Sequence, residues 1–346
     1  MSTEHQNLGG LSLDQTELST LIRQGQLLSI MGPTASGKTA LAFELKERLG
    51  DQVDLISVDS VLVYRGLDIG SAKPSDEEQA RYPHDLIDIR DPNQSYSASE
   101  FVRDASQLIL EAQQAGRLPV LIGGTMLYFK ALFQGLDPLP PSDPQIRGHL
   151  TDQLEVEGVE AMHAKLTLVD PVSAAKLKST DTQRILRALE VFELTTRPLS
   201  ELQSGKTLMM GKLWTTLALT PDRDWLHERI EARLEAMWQM GLLDEVRSLM
   251  ALYPDHDRHI WSKAVGYRQV IEALEVNPDL VIGDNQTLSC APDSAVFNLK
   301  QKTLFATRQL AKRQYTWIRR FERDLAVQCY HKTTALMNEI KKSHSV

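Results

Sequence analysis

One stretch limits what the rest of the chain can be: the twelve residues Leu28-Ser-Ile-Met-Gly-Pro-Thr-Ala-Ser-Gly-Lys-Thr39. Gly32, Pro33, Thr34, Ala35, Ser36, Gly37, Lys38 and Thr39 have the spacing G-x-x-x-x-G-K-[ST] of a phosphate loop. The flanks agree with the motif. Leu27 to Met31 is an apolar run of strand length, while Leu41, Leu45 and Leu49 recur at helical spacing before a stop at Gly50. Glycines let backbone N–H groups close around phosphate oxygens, and the helix N-terminus adds partial positive charge. Lys38 supplies a full charge, and the Thr39 hydroxyl is placed to hold Mg²⁺. The motif predicts an oligophosphate site without saying which oligophosphate binds.

Beyond the loop, strands and helices alternate. Val53–Val58 reads as a buried strand ending at Asp59, and Ser60–Gly70 has no clean period. Leu86–Ile89 reads as a short strand. Ser97-Ala-Ser-Glu100 is a capping box opening a helix to Gly116, and Pro119–Ile122 is a strand running into Gly123-Gly124-Thr125. This rhythm implies a parallel sheet with helices on its faces, and ligands in such sheets gather at the carboxyl ends of strands. The loop, Asp59 and Gly123–Thr125 all fall there. At a strand exit Asp59 is a Mg²⁺ ligand, a general base or a turn cap. Thr125 is a helix N-cap or a ligand contact.

Four prolines between Leu136 and Pro144 make a stiff connector, and only helices follow to about Thr196, with caps near Asp170-Pro171 and Asp181. Strand character returns at Leu213–Leu219. A helix after Pro221 carries Leu226, Ile230 and Leu234 on one face, with Arg229 and Arg233 on another; salt bridges to Glu228 and Glu231 are the simple reading of those arginines. Residues 278–300 read as a loop or insertion, and the last strong helix as about Lys302 to Phe321. The expected organisation is an α/β fold: a P-loop NTPase-like parallel sheet flanked by helices (26–139 and 201–330) with an all-helical insertion (140–200). A flexible extension (1–25) and a peripheral tail (331–346) complete it.

Composition narrows function by exclusion. No apolar run approaches membrane-spanning length, and the two cysteines, Cys290 and Cys329, exclude a disulfide framework or cysteine-rich zinc module. A cytoplasmic location is expected. A net charge of −8 argues against non-specific coating of nucleic acid, yet cations cluster locally. Gln183, Arg184 and Arg187 share a helix region, and Thr307–Arg320 carries five cations, no acid and two aromatics.

Taken together the motifs resemble the bacterial tRNA dimethylallyltransferases of the tRNA isopentenyltransferase family. The stretches that carry the resemblance are 32–39, Ile-Ser-Val-Asp-Ser (56–60), Asp-Ile-Gly-Ser-Ala-Lys-Pro (68–74) and Pro-His-Asp-Leu-Ile-Asp-Ile (83–89). Gly-Gly-Thr-Met-Leu-Tyr (123–128), Gln-Arg-Ile-Leu-Arg-Ala-Leu-Glu (183–190), Val-Gly-Tyr-Arg-Gln (265–269) and Ala-Thr-Arg-Gln-Leu-Ala-Lys-Arg-Gln (306–314) complete the ordered set. The resemblance implies transfer of a dimethylallyl group from dimethylallyl diphosphate to the exocyclic amine of the adenosine 3′ of the tRNA anticodon. It implies Asp59 as base, with Lys38, Arg233 and Thr125 as its catalytic companions, and a diphosphate held by Gly32–Thr39 with Arg233 and by Mg²⁺ on Thr39. It also implies tRNA contacts from Asp59, Ser60, Val61, Leu62 and Thr125 beside the loop, and from Arg147, Gln183, Arg184, Ile185, Leu186 and Arg187 on the insertion. Further contacts are implied from Lys263, Gly266, Tyr267 and Arg268, and from Arg308, Lys312 and Arg313. A monomer is expected. The competing class is a small-molecule or nucleotide kinase, which leaves both basic clusters unexplained.

Overall fold

The computed structural model describes residues 26–203, 214–282, 294–325 and 328–330. The chain divides into two compact units: residues 1–130 with 212–346, and residues 131–211.

Among the described residues of the first unit six strands form one wholly parallel sheet. They are β1 (Leu27–Met31), β2 (Val53–Val58), β3 (His84–Asp85), β4 (Leu118–Gly123), β5 (Trp214–Leu219) and β6 (Gln328–Tyr330), in the order β3-β2-β4-β1-β5-β6. β1 is buried along its whole length, as a central parallel strand covered on both faces must be. Its one polar side chain, Ser29, is satisfied by Thr216, hydroxyl to hydroxyl at 2.9 Å. Helix α1 (Lys38–Leu49) lays Leu41, Leu45 and Leu49 on Leu28, Ile30, Val120 and Ile122, each leucine contributing about 1.5–3 kcal/mol by leaving water. Register sets up the site: Met31 and Val58 both stand beside Gly123, so the chain leaves β1, β2 and β4 along one edge. Only glycine fits at 123, where a Cβ would lie 2.0 Å from the Val58 carbonyl oxygen.

The strand expected at Leu86–Ile89 lies instead at His84–Asp85. Leu86 (φ 65°) and Asp88 (φ 55°) are left-handed, which no extended strand accommodates. Helix α2 spans Asp76–Arg81, and α3 (Ala98–Gln114) begins at the capping box of Ser97 and Glu100. Helix α4 (Met126–Gln134) follows β4. Helices α10 (Arg223–Gln239), α11 (Leu242–Leu252), α12 (Tyr267–Val276) and α13 (Ala295–Leu325) close the unit. Thus α13 is longer than the sequence pattern suggested, and within 278–300 residues 295–300 are helical, while 283–293 lie outside the described residues. Leu213, Cys290 and the expected end segments 1–25 and 331–346 also lie outside them.

Among its described residues the second unit holds helices and no strand: α5 (Pro144–Glu157), α6 (Val159–Val169), α7 (Pro171–Lys176), α8 (Thr182–Thr195) and α9 (Leu199–Leu202). Its core joins Leu150, Met162, Leu166, Ile185, Leu186 and Leu189. Asp170, fully buried, caps α7 through the Ser173 N–H (2.9 Å) and accepts from the Ser200 N–H and hydroxyl at 2.9 and 2.7 Å.

Candidate active site

A cavity of about 190 Å³ opens at the shared strand edge, lined by Lys38, Thr39, Ser57, Asp59, Gly124 and Arg233 among others. The loop that leads into it is held by backbone conformation that sequence alone makes possible. Gly37 (φ 95°) and Ala35 (φ 62°) turn left-handed, and the bare Gly32 Cα is packed so closely that a Cβ would meet the Ser36 hydroxyl at 2.7 Å.

Three charges meet here. The Lys38 ammonium donates to the Pro33 carbonyl at 2.7 Å. Burial, aided by the Arg233 guanidinium and opposed by Asp59, pulls the Lys38 pKa down to about 7. Burial pushes the Asp59 carboxyl up, against the pull of the Val61 and Leu62 N–H groups and of Lys38 and Arg233. Those N–H groups donate to Asp59 Oδ1 at 2.8 and 3.3 Å, fixing the carboxylate on a turn at the end of β2. The turn-cap reading of Asp59 therefore holds, and the same residue lines the cavity. Arg233, its own pKa lowered by burial, reaches Thr34 Oγ1 at 3.5 Å. Surface salt bridges do not account for the α10 arginines: Arg229 donates through Nε to the Ala35 carbonyl at 3.0 Å and lies 4.8 Å over the Trp225 ring, while Glu231 pairs with Arg308 at 3.0 Å.

Thr125 does not cap α4 with its side chain. Its Oγ1 accepts from the Ser60 N–H at 3.1 Å, and its own N–H donates to Val58 O at 3.2 Å, tying the ends of β2 and β4 together. Gln314 was not among the expected site residues. From α13 its Oε1 accepts from the Thr34 N–H and its Nε2 donates to the Gly124 carbonyl, both at 2.9 Å, so one buried amide joins the phosphate loop to the turn after β4. The only signal in sequence was its place at the end of the 306–314 motif.

The remaining expected contacts divide. Ser60, Val61, Leu62 and Gly266 lie at or beside the cavity. Lys263, Arg268, Lys312 and Arg313 are exposed, Arg268 pairing with Glu272 at 3.6 Å. Gln183 and Arg184 are exposed on α8, Arg184 paired with Asp181. Arg187 and Arg147 share the fully buried Glu190 at 2.9 and 3.7 Å, and Arg187 also donates to Pro140 O. Three of the expected contacts have buried side chains. Ile185 and Leu186 belong to the helical core, because the face of α8 that carries them is its apolar face. Tyr267 is fully buried with its hydroxyl on Glu245 at 2.8 Å.

Oxygen donors on this cavity suit Mg²⁺. Thr39 and Asp59 line it with Ser57, whose buried hydroxyl has no hydrogen-bond partner among the described residues. The described residues contain no cluster of three or more His, Cys, Asp or Glu side chains able to cage a metal.

A phosphate loop between the first strand and first helix of a parallel sheet makes this a P-loop α/β protein. Comparison with known proteins sharpens the class. The IPP transferase family matches residues 62–321. The tRNA dimethylallyltransferase of Acinetobacter baumannii (strain SDF) is 48% identical over 297 residues, covering 85% of this chain and 90% of that protein. That of Psychrobacter sp. (strain PRwf-1) is 43% identical over 323 residues, covering 89% and 88%. The crystal structure of the tRNA isopentenylpyrophosphate transferase from Bacillus halodurans is similar with a TM-score of 0.58 and 32% identity, covering 92% of this chain and 98% of that one. The chain belongs to the IPP transferase family.

Proposed function

We infer that this chain is a tRNA dimethylallyltransferase: it moves the dimethylallyl group of dimethylallyl diphosphate onto the N6 amine of the tRNA adenosine 3′-adjacent to the anticodon and releases diphosphate. The observation that carries this reading is a cavity holding a phosphate cradle, two part-buried cations and one carboxylate of raised pKa. A kinase shares the cradle, but the family and its named relatives favour the transferase.

The chemistry follows from those groups. As the allylic C–O bond breaks, its electron pair goes to the diphosphate. Backbone N–H groups of 32–39, Lys38 and Arg233 meet that growing charge at the cavity. The amine lone pair forms the new N–C bond, and the proton the nitrogen sheds passes to Asp59, whose burial makes it a stronger base than an exposed carboxylate. Thr125 and Gln314 act at one remove, holding the turns that carry Asp59 and the loop. Thr39 would hold Mg²⁺, which when bound neutralises charge on the leaving group.

The adenosine has to leave its stack to reach this cavity. Exposed Gln183 and Arg184 with Arg147 and Arg187 are assigned to the anticodon stem, and Lys263, Arg268, Arg308, Lys312 and Arg313 to the loop nucleotides, where they hold phosphates. A monomer is proposed as the working unit. A reducing cytoplasm suits a tRNA enzyme with two cysteines, and no described helix is long and apolar enough to cross a membrane. Incubation with unmodified tRNA, Mg²⁺ and dimethylallyl diphosphate, followed by nucleoside mass spectrometry, should reveal an adenosine heavier by one dimethylallyl group. Unchanged adenosine would refute the assignment.

A further inference from the structure

One wall of the cavity carries no charge. Gly70, Ser71, Ala72 and Pro74 form it with Leu242 and Gly266, in contrast to the cationic side around Lys38 and Arg233. The 70–74 part of this wall belongs to the segment that begins at Asp59, so whatever holds it also limits where the carboxylate can meet an acceptor. The segment is irregular, with Ala72 left-handed at φ 54°, and lacks the ladder of hydrogen bonds that fixes a strand.

Glu245 on α11 supplies the missing restraint. Its Oε2 accepts from the backbone N–H groups of Asp68 (3.0 Å) and Ile69 (2.6 Å), and its Oε1 from the Gly70 N–H (3.0 Å) and the Tyr267 hydroxyl (2.8 Å). Consecutive N–H groups turned on one anion make a nest of the kind that binds phosphate in other loops; here the anion is the protein's own carboxylate. Burial and the adjacent carboxylate hold the Tyr267 phenol well above its ordinary pKa, so it stays a donor. Its ring closes on bare backbone: a Cβ on Gly70 would meet ring carbons at 2.6 and 2.8 Å. Lys73 secures the far side, its ammonium donating to Tyr64 O (2.8 Å), Asp68 (2.6 Å) and Asp88 (2.5 Å). Glu245, Tyr267 and Lys73 thus all act on the wall, and each is spent inside the protein.

We propose that Glu245 is a positioning residue for the acceptor: by clamping the 68–70 nest against Tyr267 it fixes the neutral wall on which the tRNA adenine is seated beside Asp59. This rests on the transferase reading for the identity of the acceptor. A flat, uncharged base suits a neutral wall, while the diphosphate is drawn to the cationic side.

Glu245→Gln tests it. A Gln side chain offers one carbonyl oxygen, and in either orientation its NH₂ faces a backbone N–H, so at least one strand of the clamp is lost. The expected result is a fall of about 10- to 100-fold in kcat/KM for tRNA, as a small misplacement of the acceptor produces. KM for dimethylallyl diphosphate should stay within about two-fold, because that substrate is gripped elsewhere. The melting temperature should move by less than about 5 °C. Tyr267→Phe, which leaves the nest intact, should have a smaller effect in the same direction. Simple Coulomb reasoning predicts the opposite sign, since removing a negative charge near an RNA site should help. Unchanged or improved kcat/KM for tRNA in an active background overturns the proposal alone. So does a parallel collapse of both KM values and of the melting temperature, which would make Glu245 only a structural support. A wild-type chain that transfers nothing to tRNA would remove the transferase reading, and the proposal with it.

Discussion

Positive charge is treated in opposite ways at the cavity and on the outer helix faces. At the cavity Lys38 and Arg233 are partly withdrawn from water, and burial lowers the pKa of both. On the helix faces Lys312 and Arg313 are exposed, and Arg184 keeps 72% of its side chain exposed beside Asp181. Buried charges cost solvation and act strongly at short range; exposed ones cost little, are screened within about 10 Å at 0.1 M salt and act by number. The first arrangement suits a leaving group on which charge must be stabilised as it forms. The second suits a polyanion that must be found, held and released. Glu190, fully buried yet shared by Arg147 and Arg187, is where the helical unit repeats the arrangement of the cavity.

The largest expected effect lies on the buried side. Asp59→Asn should lower kcat by about 100- to 10,000-fold while leaving tRNA affinity nearly unchanged, as loss of a general base does. A matching loss of tRNA binding in a gel-shift or anisotropy titration would mean that Asp59 chiefly binds. In the wild type, burial raises the Asp59 pKa, so the rate should fall with decreasing pH at a higher pH than an ordinary carboxylate gives.

Next in size, Arg233→Ala should raise KM for dimethylallyl diphosphate by roughly 10- to 100-fold, the worth of a charge-assisted contact of about 1.5–3 kcal/mol. That KM should respond weakly to salt. By contrast, Arg313→Ala should weaken tRNA binding several-fold and reduce the slope of log K against log salt by about 1. A donor KM as salt-sensitive as tRNA binding would erase the distinction between buried and exposed cations.

The smallest effect concerns protons. With its pKa lowered to about 7, Lys38 loses charge as pH rises through neutrality. Donor binding at pH 8 should therefore take up roughly one proton and binding at pH 6 almost none, read by calorimetry in buffers of different ionisation enthalpy. Lys38→Arg should abolish the uptake, since a guanidinium stays charged.

Local order explains what was legible before any coordinates. The phosphate loop, the capping box at Ser97 and the leucine face of α1 are fixed by residues within a few positions of each other, and all stand where the sequence put them. The ordered motif set carried the family. What escaped depends on distant partners. Gln314 lies 280 residues from Thr34, and Glu245 lies 175 to 177 from the nest it holds. No periodicity announces such pairs. The displaced third strand follows from left-handed backbone at Leu86 and Asp88, residues whose types favour no such conformation strongly enough to be read. Ile185, Leu186 and Tyr267 show the converse: a motif singles out a residue without saying whether it faces substrate or core.

The central claim is that the phosphate loop grips a leaving group instead of spending a nucleotide. Its most direct test is a single-turnover reaction with tRNA, Mg²⁺ and dimethylallyl diphosphate and no nucleoside triphosphate, following diphosphate and modified adenosine together. The account predicts one diphosphate released for each dimethylallyl-adenosine formed, at a rate that added ATP does not increase. A product that appears only when ATP is hydrolysed would contradict it.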